Sequence, residues 1–325
     1  MIRVVRLVAL VLGACALAPA VEIGAWDFER AEDTHAWRGL GGPNAAIVAE
    51  DGGNILDIAA RDSRHTVMVS CQIALDPAWR RLTVATRMRA SGLVLGAESW
   101  QDARLAVEFH GADGRLVGYG APAHLRGDAP WTPLRSEMEI PADATTVVLV
   151  AANFARGGAC AFDDIRVSAD AQHELVPTDT YRADFATLDR DGLPPGWCLS
   201  SAQAHVVAGA LALDAAAGAV EARALIAVDP AWRRVRIACR LSALGLVVGA
   251  DPSSTARLDI DPLDAEGRPS QQPHPVPSLT RDAEWHQQAV DVDLPTGTRW
   301  LLLRPHHSGL AGVFLLDDIT CSPRE

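Results

Sequence analysis

Apolar and polar residues alternate along most of this chain in short runs. In "LTVATRM", Leu82, Val84, Thr86 and Met88 fall on one face and Thr83, Ala85 and Arg87 on the other. In "RLAVEFH", Leu105, Val107 and Phe109 face inward while Arg104, Glu108 and His110 face outward. A period of two is the signature of half-buried strands. "TTVVLVA" and "RWLLLRP" read as continuous apolar strands, and "FDDIRV" and "LDDITC" as closing ones. Many short strands between turn signals, with no convincing helical stretch, predict an all-β protein built of antiparallel β-sandwiches.

The pattern is written twice. "DPAWRRLTVATRMRASGLVLGA", Asp76 to Ala97, returns as "DPAWRRVRIACRLSALGLVVGA", Asp229 to Ala250, with 14 of 22 positions identical. The register continues through Arg104–Leu105 and Arg257–Leu258, Trp131 and Trp285, Pro141 and Pro295, and "DDI" at Asp163 and Asp317. Near the start of each copy, Asp27–Phe28 finds Asp184–Phe185. The expected organisation is a leader over 1–20, a first sandwich over 21–168, a linker over 169–180 and a second sandwich over 181–325. Two copies on a short linker would raise avidity for a repeating polymer.

The leader, "MIRVVRLVALVLGACALAPA", has Arg3 and Arg6, an apolar run and an Ala18-Pro19-Ala20 cleavage pattern, which implies export. "LGAC" ending at Cys15 also matches a lipobox, so the two expectations are a secreted or periplasmic protein and a lipoprotein anchored at Cys15. No other apolar run is long enough to span a bilayer. The chain has no lysine, and its net charge of −12 gives no electrostatic reason to expect nucleic acid or an anionic membrane. Cys71, Cys160, Cys198, Cys239 and Cys321 remain after the leader, an odd number with no CxxC pair, so at least one thiol stays free or pairs between molecules.

The motifs carry a resemblance. A "WDFE" start, a "DPAWRR" strand, "WQDARL", a late tryptophan before "IPADA" and a terminal "FDDI" resemble the galactose-binding-domain-like jelly roll of many carbohydrate-binding modules in bacterial secreted proteins. The resemblance covers both copies. It implies a structural Ca²⁺ held by Glu29 with Asp163 or Asp164, and more weakly by Asp317 or Asp318, since Ala186 replaces Glu29 in the second copy. The alternative is that an arginine or backbone amides satisfy these carboxylates. It also implies a ligand surface where a sugar ring stacks on an aromatic and polar side chains take its hydroxyls.

Tryptophans at matched positions, Trp37 and Trp197, Trp79 and Trp232, Trp131 and Trp285, are expected in the core or in sheet packing. Trp26, Trp100 and Trp300 are unshared. Trp100 opens a strand whose outward face offers Arg104, Glu108 and His110, with Arg87 and Arg89 on the strand before it. In the second copy Trp100, Glu108, His110 and Arg89 become Ser253, Asp261, Leu263 and Ser242. The expected site is therefore Trp100, Arg87, Arg104, Glu108 and His110 in the first copy, against the alternative of a solvated face of paired charges.

No nucleophile elbow, zinc-protease helix or P-loop is present. Adjacent Asp163–Asp164 and Asp317–Asp318 should face apart on a strand, as should His306–His307, which are expected at a surface or turn. The sequence thus predicts a non-catalytic carbohydrate-binding protein, with an envelope structural or adhesion module as the alternative and an unrecognised hydrolase as a distant one.

Overall fold

The computed structural model describes residues 20–50, 52–60, 66–171, 177–249, 255–270 and 276–324. The leader's residues 1–19, including Cys15, lie outside these. The alternating segments are strands of two tandem antiparallel β-sandwiches of jelly-roll type, each around its own apolar core. Inward parity holds: Leu82, Val84, Met88, Leu105 and Val107 are at most 1% exposed. Among the described residues helix is confined to Ala31–Ala36 and a 3-10 turn at Ala215–Ala217.

In the first copy one sheet runs Ala45–Glu50, Gly53–Ala60, Gly157–Asp170, Arg81–Val94, Ala129–Glu139, with Val21–Trp26 added against Gly157–Asp170. The other runs Trp37–Arg38, Val67–Ala74, Ala144–Asn153, Ala103–Gly111, Leu116–Leu125. Consecutive strands Arg81–Val94 and Ala103–Gly111 therefore sit in different sheets. The strand Gly157–Asp170 runs on past Ser168 to Asp170, whose carboxylate takes Arg81 at 2.9 Å.

Two repeated dipeptides do backbone work. Phe28 and Phe185 adopt left-handed φ of 59° and 51°, with rings 3% and 2% exposed. That conformation costs about 1–2 kcal/mol, which burial of the ring, worth about 1.5–3 kcal/mol, offsets. Asp164 and Asp318 are also left-handed, at 49° and 50°. They mark matched β-bulges, where pairing skips from Asp163 to Arg166 and shifts between Ala238 and Arg240.

The two copies share a sheet. Ala129–Glu139 pairs with Trp197–Leu199 of the second copy, Leu199 lying opposite Arg135. Opposed residues point to the same side. Leu199 enters the second core, whereas Arg135 alternates with Leu134, which enters the first. The two cores thus lie on opposite sides of one continuous sheet, and the body of the second domain stands beside the outer face of the first domain's sheet.

Arg135, 9% exposed, fastens the joint. It donates to the carbonyls of Trp197 and Pro194 and to Asp189. Arg166 reaches Asp191 at 2.8 Å, and Arg190 reaches back to Glu22 at 3.0 Å.

Candidate functional site

The sequence-derived residues divide between two surfaces. Arg104, Glu108 and His110 lie on the outer face of the sheet containing Ala103–Gly111, and Trp100 stands at its end. Arg87 lies on the outer face of the opposite sheet, so these five do not make one site. Alternation assigns a side of a sheet, not which sheet a strand joins.

The Trp100 surface covers a buried apolar cluster. Ala106, Val150 and Ala152 form a small apolar cluster with Val148 and Phe154 packed on it. Strand pairing sets Arg38, Ser70, Val150 and Ala106 in one row and Gln72, Val148, Glu108 and Tyr119 in the next. Trp100 and Tyr119 are 49% and 56% exposed, and Trp100 meets Phe154 edge-on at 6.0 Å between ring centroids. His110 bonds Glu108 at 3.1 Å and the Gly114 carbonyl at 3.0 Å. The Gly114 carbonyl, then Glu108, raises the His110 pKa above its ordinary value. The strand from Arg104 to His110 spans roughly 20 Å, and this face, the Trp100–Tyr119 trough, sets two exposed aromatic rings and polar side chains over the buried cluster of Ala106, Val150 and Ala152.

Arg104 departs from expectation. Although on the outward face, it is 8% exposed and paired with buried Asp102 at 2.6 Å, and it donates to the Ser99 carbonyl. Arg126 also donates to Ser99. Arg104 holds the loop that carries Trp100 rather than offering itself to a ligand. Tyr119, missed in the sequence, is found only by cross-strand register, because it lies directly opposite Glu108.

In the second copy the same face is charged. Asp259, Arg304 and His306 stand where the first copy has Ala106, Val150 and Ala152. Asp259 bonds Arg257 at 2.7 Å, and Arg304 reaches Asp261 at 3.1 Å. His306 and His307 face apart as expected, but within a strand rather than at a turn, with His307 fully buried against the Gly312 carbonyl. Burial lowers the pKa of both.

The opposite surface holds a motif present in both copies. Trp131 and Trp285 are not core residues: they lie on the outer face, Trp131 under Arg87 and Arg89 at 5.3 and 5.0 Å, and Trp285 under Arg240 at 5.0 Å. The other recurrent tryptophans behave as expected, Trp37 and Trp197 buried, Trp79 and Trp232 packed against the cores. Neighbouring carboxylates do not face apart at the bulges. Asp163 and Asp164 lie 3.7 and 3.6 Å from Arg87, and Asp317 and Asp318 lie 3.6 and 3.2 Å from Arg240. Burial raises the pKa of Asp163 and Asp317, with the following backbone amide and the arginine opposing it.

These residues do not fit a calcium site. Glu29 is engaged by the Asn54 amide at 2.6 Å, and Asp163 accepts the Asp164 amide at 2.7 Å. The guanidinium of Arg87 or Arg240 already supplies the positive charge beside each aspartate pair. Among the described residues no three His, Cys, Asp or Glu side chains converge to hold a metal ion.

Where the second domain abuts this surface, a cleft of about 280 Å³ opens. Its floor is the first domain's sheet at Arg87, Pro133 and Asp164, and its wall is the second domain's turn at Arg190–Gly192.

No family model matches the chain, and no curated protein matches it. Among solved structures it is similar to the N-terminal CBM22-1–CBM22-2 tandem domain of Paenibacillus barcinonensis Xyn10C, at 14% identity and a TM-score of 0.36, covering 96% of this chain and 100% of that one. It is similar also to the mannan-recognising carbohydrate-binding module TmCBM27, at 14% identity and a TM-score of 0.28, covering 47% of this chain and 99% of that one. At these values the likeness carries no ligand across to this protein.

Proposed function

We propose that the protein is an exported, non-catalytic carbohydrate-binding protein whose first domain takes a polysaccharide along the Trp100–Tyr119 trough. The observation that carries this reading is the pair of exposed aromatic rings, Trp100 and Tyr119, on one outer sheet face with the polar side chains of Glu108, His110 and Gln72 beside them. A sugar presents apolar C–H faces and polar edges, and this surface offers both complements. In the second domain Ser253 replaces Trp100 and Leu263 replaces His110, so binding belongs to the first domain. Export is supported by the leader sequence. The non-catalytic reading is supported by the engagement of Asp163 and Asp164 with one arginine.

Affinity electrophoresis through gels containing neutral polysaccharides tests it. The native protein is expected to be retarded by at least one polymer, and Trp100→Ala with Tyr119→Ala should weaken retention about tenfold or more, the scale of losing one well-packed aromatic contact. Retention by no polymer, or retention unchanged in the double variant, overturns the reading. The adhesion alternative is favoured by one feature, the exposure of Leu244, Val247 and Leu310 at 72%, 48% and 70% on the tip of the second domain.

A further inference from the structure

The cleft between the domains is separate from the trough, on the opposite side of the first domain. Three of its lining residues are arginines, Arg87, Arg166 and Arg190, against Asp164 and Asp191. Arg166 is committed to the joint, through Asp191 at 2.8 Å and Asp164 at 3.3 Å. Arg87 is ion-paired with Asp163 and Asp164, but at distances too long for hydrogen bonds. Its side chain is 43% exposed and its carboxylate neighbours stay at 3.6–3.7 Å, and its guanidinium makes no hydrogen bond among the described residues. It rests on the Trp131 ring, which fixes its plane. Arg190, 66% exposed, lines the cleft from the other domain, with its guanidinium paired to Glu22 at 3.0 Å and 3.9 Å from Asp191.

A positioned guanidinium with unused donors in a cleft suits a planar carboxylate, which it takes through two parallel hydrogen bonds. The chain's net charge of −12 makes a locally arginine-rich cleft a specific feature rather than a general one. Asp164 and Asp191 add acceptors for hydroxyl groups, and Pro133 adds an apolar wall. The volume lies near the lower end of the range for small-molecule sites, about 300–1,000 Å³.

We infer that this cleft is a second saccharide site, selective for an acidic sugar: a uronate whose carboxylate is held by Arg87 and Arg190 and whose hydroxyls donate to Asp164 and Asp191. This rests on the carbohydrate reading above but uses none of the trough residues. The second copy repeats Trp285, Arg240, Asp317 and Asp318, but among the described residues no second wall faces them.

Calorimetric titration of the full chain with a galacturonate disaccharide and with its neutral galactose counterpart tests the inference. The uronate should bind at least tenfold more tightly, and Arg87→Gln should abolish the preference. Arg135→Ala, which removes the wall without touching Arg87, should weaken uronate binding comparably. Arg240→Gln and the Trp100→Ala, Tyr119→Ala double variant should leave it unchanged. Absent uronate binding, equal affinity for the two sugars, or a preference that survives Arg87→Gln overturns the cleft site, while retention on neutral polymer then still reports on the trough. Loss of retention with uronate binding intact removes the trough and leaves the cleft.

Discussion

At the scale of single residues, Arg104 and Asp102 set the conditions for Trp100 without meeting a ligand. The pair is buried, and one Asp102 oxygen lies 4.0 Å from Arg126, so the carboxylate is shared between two cations. Removing one partner of a buried pair leaves the other charged and desolvated, at a cost of about 3–5 kcal/mol. Asp102→Ala should lower the unfolding free energy of the first domain, measured in urea, by an amount of that order and mobilise Trp100, seen as a red shift of its fluorescence. Unchanged stability would show the pair to be dispensable. The alternation of "RLAVEFH" placed Arg104 on the outward face correctly, but parity does not report how deeply an outward residue is covered. Phe154 lies under its guanidinium at 5.9 Å, and nothing in the local sequence announces that neighbour.

At the scale of strands, the duplicated "GLV" segments have a reason beyond packing. Gly158 and Gly312 have φ of 93° and 102°, and a Cβ on either would come within 2.4–2.5 Å of the carbonyl oxygen of Gly92 or Gly245 on the adjacent strand. Gly158→Ala and Gly312→Ala should each destabilise their domain by about 1–3 kcal/mol, measured by chemical unfolding, whereas alanine at Gly41, with open space around it, meets only the φ penalty. The strands themselves were legible in the sequence because period two survives wherever one face is buried. The bulges were not: a left-handed aspartate at position 164 or 318 reverses the expected direction of its neighbour, and Asp–Asp on paper looks like any two strand residues. The recurrence of Trp131 and Trp285 predicts a place in the core or in sheet packing, because repetition records a shared constraint without saying which face bears it. The constraint is the stack on Arg87 and Arg240.

At the scale of the whole molecule, the joint decides what the two domains do together. Arg135 is nearly buried, and its truncation should cost about 2–5 kcal/mol of docking free energy. Small-angle scattering of Arg135→Ala should therefore show a larger radius of gyration than the native chain; an identical profile would mean that the strand pairing alone holds the domains. Burial raises the Asp189 pKa, but the hydrogen bond from Arg135 outweighs it and leaves the carboxyl below its ordinary 3.8. The sign follows: the contribution to docking is complete above 3.8 and disappears as the pH falls through the lower, docked value. The same scattering experiment on the native chain should show expansion only in that acid range. The trough and the cleft lie on opposite sides of the first domain, so one polymer strand does not lie along both. The avidity expected from duplication gives way to a connection between two separate glycans.

The joint is also head-to-tail, since each domain contributes a different surface to it. Contacts of that kind grow into open filaments whenever the outer ends match the inner ones. Here they do not. The strand Ala283–Asp293 ends its sheet and carries Ala289 where the first domain carries Arg135, and the first domain has the helix Ala31–Ala36 where the second has the turn that bears Asp189 and Asp191. Duplication copied the strands that pair at the joint but not the arginine that fastens them, so the clasp is not repeated along the Ala283–Asp293 edge.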